Sequence, residues 1–458
     1  MNYDNHDYCR YDIIIIGGGP GGYVAASYAT QFGKKVALVE QNKIGGCCLN
    51  VGCIPTKVLL ETANRYTQAR DSETYGVEAG TVSFNWTKYK AFSEKVTSDL
   101  RKGVELLLKS RKVDVFSGEA KILAEHQVQV EDKILEAENI IIATGTRPVV
   151  PSKFTNLVIT SDTFWNLESQ PKSIVIVGGG VIGCEIASAL SKLGTQVTII
   201  EQMHDILPMF EGGAVKLLRA ELEKHNVAVY TGTTVKDIHL NSENGNFEVS
   251  AGKQSVIPCD YVLWSTGRTA VIPKGFENMK LTDRGFIDVD ANYQTSVKNV
   301  YCIGDANGKA LLAHAAMLQA MEIVEYICAG IEVRHDIAIP TTVFTSPAIA
   351  KIGLSEADCK QRNITVAVGV APLSFVGYSH VTSDEIGYIK VFRDIETDTL
   401  LGAEIVGHNA CELIHVFEPY VNKKLSVQMF SDIVFAHPTL SEGMKTAIES
   451  SYVKSPQA

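Results

Sequence analysis

The chain has no run approaching about 18 consecutive apolar residues without glycine, so no membrane-spanning helix is expected. It has no excess of basic charge either. Its 42 Lys and Arg stand against 52 Asp and Glu, a formal net charge of -10 at pH 7. A nucleic-acid footprint is basic, so that class of function is set aside. Cysteine is too sparse for a disulfide scaffold, with 10 in 458 residues. The start, Met1-Asn2-Tyr3-Asp4-Asn5-His6-Asp7, lacks the basic and apolar segments of a signal peptide and carries acid that a mitochondrial leader avoids. A cytoplasmic chain with reduced structural thiols is the expectation, and no residues are assigned to a metal. What is present is ordinary for a soluble globular protein: 45% hydrophobic and 21% charged residues. The length exceeds one core and points to about three domains.

Against that background one run stands out: Gly45-Gly46-Cys47-Cys48-Leu49-Asn50-Val51-Gly52-Cys53-Ile54-Pro55-Thr56-Lys57. On a regular helix, positions i and i+5 hold their Cα atoms about 8–9 Å apart. A disulfide needs less than about 7 Å. Cys48 and Cys53 are therefore bridged only if the backbone bends, which Gly52 permits. An accessible, strained disulfide is the kind used in catalysis. The competing reading is two unrelated buried thiols in a reducing compartment.

The first half of the chain is internally duplicated. An apolar run, Ile13-Ile14-Ile15-Ile16, leads into Gly17, Gly19 and Gly22; a second, Ile174-Val175-Ile176-Val177, leads into Gly178, Gly180 and Gly183. Gly17, Gly19, Gly22, Gly33 and Glu40 each recur 161 residues later, the last as Glu201. Each copy reads strand, glycine turn, helix, strand, one βαβ unit. The three glycines make a tight turn, let backbone approach a pyrophosphate, and let helix pack on strand. The helix N-terminus then offers free N–H groups to phosphate. Glu40 and Glu201 end the second strands, where a carboxylate accepts from a ribose 2′-OH and repels a 2′-phosphate. Two dinucleotide sites follow.

The cysteine run resembles the redox helix of the flavoprotein disulfide reductases, with fillings closest to those of dihydrolipoamide dehydrogenases; Cys47 stands where that family usually has Thr. The resemblance covers nearly the whole chain. It implies FAD in the first βαβ unit and NAD in the second. It implies an α/β fold with two Rossmann-like dinucleotide-binding domains and a C-terminal α+β dimerisation domain. The divisions are 1–147 and 271–345 for FAD, 148–270 for NAD, and 346–458 for the dimer interface. Within Ile303-Gly304-Asp305, Asp305 matches the residue that binds the flavin ribityl chain, and Ala313 is placed on the flavin side. Thr144 and Gly145, with Gly267, match paired turns where chain crosses between domains. After the second turn the family shows Arg-x-Pro-Asn, whereas this chain reads Arg268-Thr269-Ala270-Val271. Ala348 and Ala315 also stand where the family has Glu and Lys.

The run Phe435-Ala436-His437-Pro438-Thr439-Leu440-Ser441-Glu442 resembles the family's acid–base segment. His437 is carried over as the base and Glu442 as its orienter. Lys57 and Glu185 are carried over as a pair beside the reactive flavin nitrogen, against the alternative of two solvated surface charges. The implied activity is oxidation of protein-bound dihydrolipoamide by a homodimer serving 2-oxo acid dehydrogenase complexes. Glutathione reductase would place an arginine pair where this chain has Ser27-Tyr28, and mercuric reductase ends in Cys-Cys, unlike Ser455-Pro456-Gln457-Ala458. A non-catalytic binding protein on the same fold is the remaining alternative.

Overall fold

The computed structural model describes residues 8–124, 126–253 and 256–452. The expectations placed on the acidic start and on the terminal run past Tyr452 fall outside the described residues. The chain forms two compact units. One comprises Met1–Leu59, Ser83–Gln170 and Leu263–His335; the other comprises Leu60–Val82, Pro171–Val262 and Asp336–Ala458.

The first unit is built on a parallel sheet. Strand β1 (Tyr8–Ile16) is followed by helix α1 (Pro20–Ala29) and strand β2 (Val36–Glu40). Ile13 to Ile16 are at most 4% exposed. A strand covered on both faces needs this unbroken apolar run. Full burial of one such side chain is worth about 1.5–3 kcal/mol. β1 pairs in parallel with β2 on one side and with strand Lys133–Ile142 on the other. Strand Asp114–Ser117 extends the sheet beyond β2, and Val300–Cys302 adds to Lys133–Ile142, both in parallel. Strands Ala120–Ala124 and Gln127–Val130 continue it as an antiparallel meander. The cysteine run forms helices α2 (Gly46–Val51) and α3 (Cys53–Arg70). The long helix α4 (Trp86–Ser110) starts at Asn85, whose side chain accepts from Lys88 N at 2.9 Å. That bond satisfies one of the orphan amides of its first turn.

The second unit repeats the parallel βαβ theme. Strand Ser173–Val177, helix Val181–Lys192 and strand Gln196–Ile200 are joined by Ala228–Tyr230. An antiparallel meander of Val235–Leu240, Phe247–Ala251 and Ile257–Cys259 follows. The C-terminal part is a five-stranded antiparallel sheet. Its order is Thr341–Val343, Ile349–Gly353, Leu400–Val406, Tyr388–Asp394, Val366–Pro372. Helix Glu442–Ser450 covers it, and Phe417, Phe430 and Met444 fill the core beneath. The sequence reading started the fourth of these strands at Glu385. It begins at Tyr388, because Gly387 sits at φ +135 and packs against the Val406 carbonyl. Among the described residues, no helix is long and apolar enough to cross a membrane.

Candidate active site

The two glycine turns have the same geometry. Gly17 and Gly178 both stand at φ +110, a conformation that side chains disfavour. A Cβ at Gly17 would lie 2.3 Å from the Ala143 carbonyl oxygen. The third glycines sit tightly on the first: a Cβ would lie 1.8 Å from Gly17 O at Gly22, and 2.0 Å from Gly178 O at Gly183. The middle glycines differ. A Cβ at Gly180 would meet nothing within 4 Å, and at Gly19 only the Gly46 Cα at 3.9 Å. An open face over a helix N-terminus is what a pyrophosphate requires, so both turns fit a dinucleotide.

Glu40 and Glu201 have a task that the sequence reading did not anticipate. Glu40 accepts from Gly18 N and from Asn42 N, each at 2.7 Å. Glu201 accepts from Gly179 N at 2.6 Å and Met203 N at 2.7 Å. Each carboxylate staples its own glycine turn while keeping further lone pairs for a ribose hydroxyl. Arg219 approaches the loop after Glu201 but is taken up by Asp205 at 2.9 Å.

The redox segment packs against the first turn. Gly46 stands at φ +59, and a Cβ there would lie 2.7 Å from Gly19 Cα. The helix breaks at Gly52, separating α2 from α3. Asn50 Nδ2 donates to Gly46 O at 2.9 Å and Ile44 O at 3.0 Å, and Trp165 Nε1 caps Val51 O at 2.6 Å. Cys48 and Cys53 flank the break as half-buried thiols. A hydrogen bond with Cys53, together with burial, pushes the Cys48 thiol far up from its ordinary value. A thiol held that high needs a base before its sulfur becomes a nucleophile. Lys57 lies on α3 one turn beyond Cys53, and so on the same helical face.

The paired crossing turns meet each other. Thr144 Oγ1 donates to Val271 O at 2.6 Å, and Val149 N donates to Gly267 O at 3.1 Å. Between them Thr146–Pro148 and Arg268–Ala270 form an antiparallel ribbon. The departure from Arg-x-Pro-Asn is thereby accommodated, and Ala270 is buried in the sheet core. Gly145 completes the first turn at φ +65. Asp305 accepts from Thr146 Oγ1 at a long 3.3 Å, and burial raises its carboxyl. A desolvated carboxylate so weakly paired suits a ligand hydroxyl. Ala313 opens helix Ala313–Ala329.

In the second unit Glu185 is buried on helix Val181–Lys192 and accepts from Phe344 N at 2.9 Å. It is not a solvated surface charge. His437 Nδ1 lies 2.9 Å from Glu442 Oε1, and Thr439 N donates to Glu442 Oε2 at 2.9 Å. These contacts lower the Glu442 carboxyl, the Thr439 amide contributing most. The loop is pinned by Phe435 against Phe430 and by buried Leu440. The His437 side chain is still 79% exposed. An oriented imidazole is therefore presented outward.

Sequence reasoning missed Asp162, Ser161, Trp165 and the role of Arg268. Only the polar turn Thr160-Ser161-Asp162-Thr163 and an arginine closing the turn Ser265-Thr266-Gly267 hinted at them.

Comparison with known proteins agrees with this geometry. The model of the pyridine nucleotide-disulphide oxidoreductase family matches residues 11–320, and that of the family's dimerisation domain matches 339–448. A dihydrolipoyl dehydrogenase of Staphylococcus aureus is 37% identical over 450 residues, covering 96% of both chains. One of Geobacillus stearothermophilus is 36% identical over 448 residues, covering 96% of this chain and 95% of its own. Among solved structures, the HOCl-induced flavoprotein disulfide reductase of Escherichia coli superimposes with a TM-score of 0.87 at 26% identity. The match covers 97% of this chain and 100% of that one.

Proposed function

The chain belongs to the pyridine nucleotide-disulphide oxidoreductase family, and from that premise we propose that it oxidises a protein-bound dihydrolipoyl dithiol with FAD and NAD as cofactors. The observation that carries this is the Cys48–Cys53 thiol pair astride a helix break, seated on a dinucleotide turn. In the oxidised enzyme, a substrate thiolate attacks Cys48 Sγ of the Cys48–Cys53 disulfide. That bond breaks, Cys53 leaves as thiolate, and the second substrate sulfur displaces Cys48 to close the lipoyl disulfide. Two electrons reside on the enzyme pair, and His437 has accepted a substrate proton. Bound flavin supplies the hydride chemistry that carries this electron pair to NAD⁺.

Gly17, Gly19, Gly22, Glu40 and Asp305 would hold FAD, with Thr144, Gly145 and Ala313 alongside. Gly178, Gly180, Gly183 and Glu201 would hold NAD. Lys57 and Glu185 are each proposed to serve the reactive flavin nitrogen. The dimerisation domain and the outward-facing His437 support a homodimer in which His437 of one copy serves the cysteines of the other. The lipoyl domains and acyltransferase core of a cytoplasmic 2-oxo acid dehydrogenase complex are the proposed partners.

The test is a panel of dihydrolipoamide, glutathione and mercuric ion with both nicotinamide cofactors. Dihydrolipoamide with NAD⁺ is expected to dominate; faster NADPH-driven glutathione or mercuric reduction overturns the reading. NAD is expected to be preferred over NADP by a large margin. Glu201 repels a 2′-phosphate, and the nearby Arg219 is already paired with Asp205. Equal kcat/KM for the two cofactors is the contrary result.

A further inference from the structure

Arg268 uses every donor it has. Its Nε donates to Thr146 Oγ1 at 2.9 Å. Nη1 donates to Ser161 Oγ at 3.0 Å and Asp162 Oδ1 at 2.9 Å. Nη2 donates to Thr146 O at 2.8 Å, reaches Asp162 Oδ2 at 3.4 Å, and meets Cys47 Sγ at 3.6 Å. The Cys47 thiol in turn points to Asp162 Oδ1 at 3.8 Å. Thr146 passes the chain of contacts on to Asp305. The Arg268 side chain is only 12% exposed. One guanidinium thus joins the start of the redox helix, both crossing turns and the candidate flavin carboxylate. A lysine, with one point charge and three donors, does not reproduce that fork.

We infer that Arg268 is a positioning residue that sets the reduction equilibrium of the Cys48–Cys53 pair through Cys47. This rests on reading those two cysteines as the redox pair. Cys47 precedes Cys48 directly, and the three thiols feel one another electrostatically. Desolvation pushes the Cys47 thiol up to about 12, while Arg268 pulls it down. Cys47 therefore stays protonated and unreactive near neutral pH; it transmits rather than competes. Reduction of the pair takes up two electrons and two protons, breaking one S–S bond, and the Arg268–Cys47 contact belongs to that thiol form, in which Cys48 is hydrogen-bonded to Cys53. Loosening Arg268 from the helix start takes that support away and favours the disulfide.

The side chain at 47 separates this role from packing. Threonine and valine have the same shape, but only threonine offers Arg268 an acceptor. The holoenzyme and its Cys47→Thr, Cys47→Val and Arg268→Lys variants are equilibrated in lipoamide/dihydrolipoamide buffers. The reduced fraction of Cys48 and Cys53 is then read by alkylation and peptide mass mapping. Cys47→Thr is expected to stay within about twofold of the parent equilibrium constant. Cys47→Val is expected to shift it about tenfold toward the disulfide, some 30 mV for a two-electron couple. Arg268→Lys is expected to shift it at least as far, and in the Cys47→Val background to add little. Equal constants for the threonine and valine variants overturn the inference, even if Arg268→Lys fails to fold. A parent enzyme with no Cys48–Cys53 disulfide overturns the underlying reading instead.

Discussion

Replacing Cys48 or Cys53 by serine is expected to eliminate NAD-linked oxidation of dihydrolipoamide. The two positions fail for different reasons. Without Cys48 there is no sulfur for the substrate thiolate to attack. Without Cys53 there is no leaving thiolate and no way to hold the electron pair. A hydroxyl replaces neither function, because exchange requires a thiolate and a polarisable sulfur. The fold should survive, since both side chains lie at a helix break rather than in the sheet cores. Bound flavin, read by its visible absorbance, is expected to be retained. Turnover within about tenfold of the parent in either variant would remove that cysteine from the mechanism.

The second large effect is expected at His437. Substitution by glutamine should lower dithiol oxidation by roughly 10²–10⁴-fold, the usual contribution of a positioned acid–base group. The loop itself should hold, because Phe435 and Leu440 anchor it and Glu442 keeps its bond from Thr439 N. A loss smaller than tenfold would show that another group takes the proton. Glu442→Ala should cost about 10²-fold through misplacement of the ring, with flavin content unchanged. Because the Glu442 carboxyl is depressed, it stays an anion and keeps its contact with His437 Nδ1 until pH falls through that lowered value. Loss of activity in mild acid, above that value, would therefore not come from protonation of Glu442.

Much of this was legible in the sequence because the constraints are local. Gly17 and Gly178 must turn where side chains do not fit, and Ile13 to Ile16 must be apolar because both faces of β1 are covered. His437 and Glu442 lie five residues apart in one short segment, so the resemblance carried by that segment was enough to pair them. The Arg268 hub was not legible. Its partners at positions 47, 146, 161 and 162 come from separate segments, and no periodicity links them. The strand starting at Tyr388 was misjudged by three residues because alternation in the sequence does not register a glycine bent at φ +135.

The doubled carboxylate staple bears on how such an enzyme could change its coenzyme. Glu201 is 7% exposed, and its oxygens hold the amides of Gly179 and Met203. Exchanging it for the arginine that a 2′-phosphate wants would strand those amides. A buried donor left unmatched costs about 1–3 kcal/mol. A lineage, or an engineer, moving toward NADP would therefore lose the pyrophosphate cradle before gaining the new contact. The route has to begin elsewhere in the loop, with substitutions such as Asp205→Asn that release Arg219 while the glutamate still builds the turn.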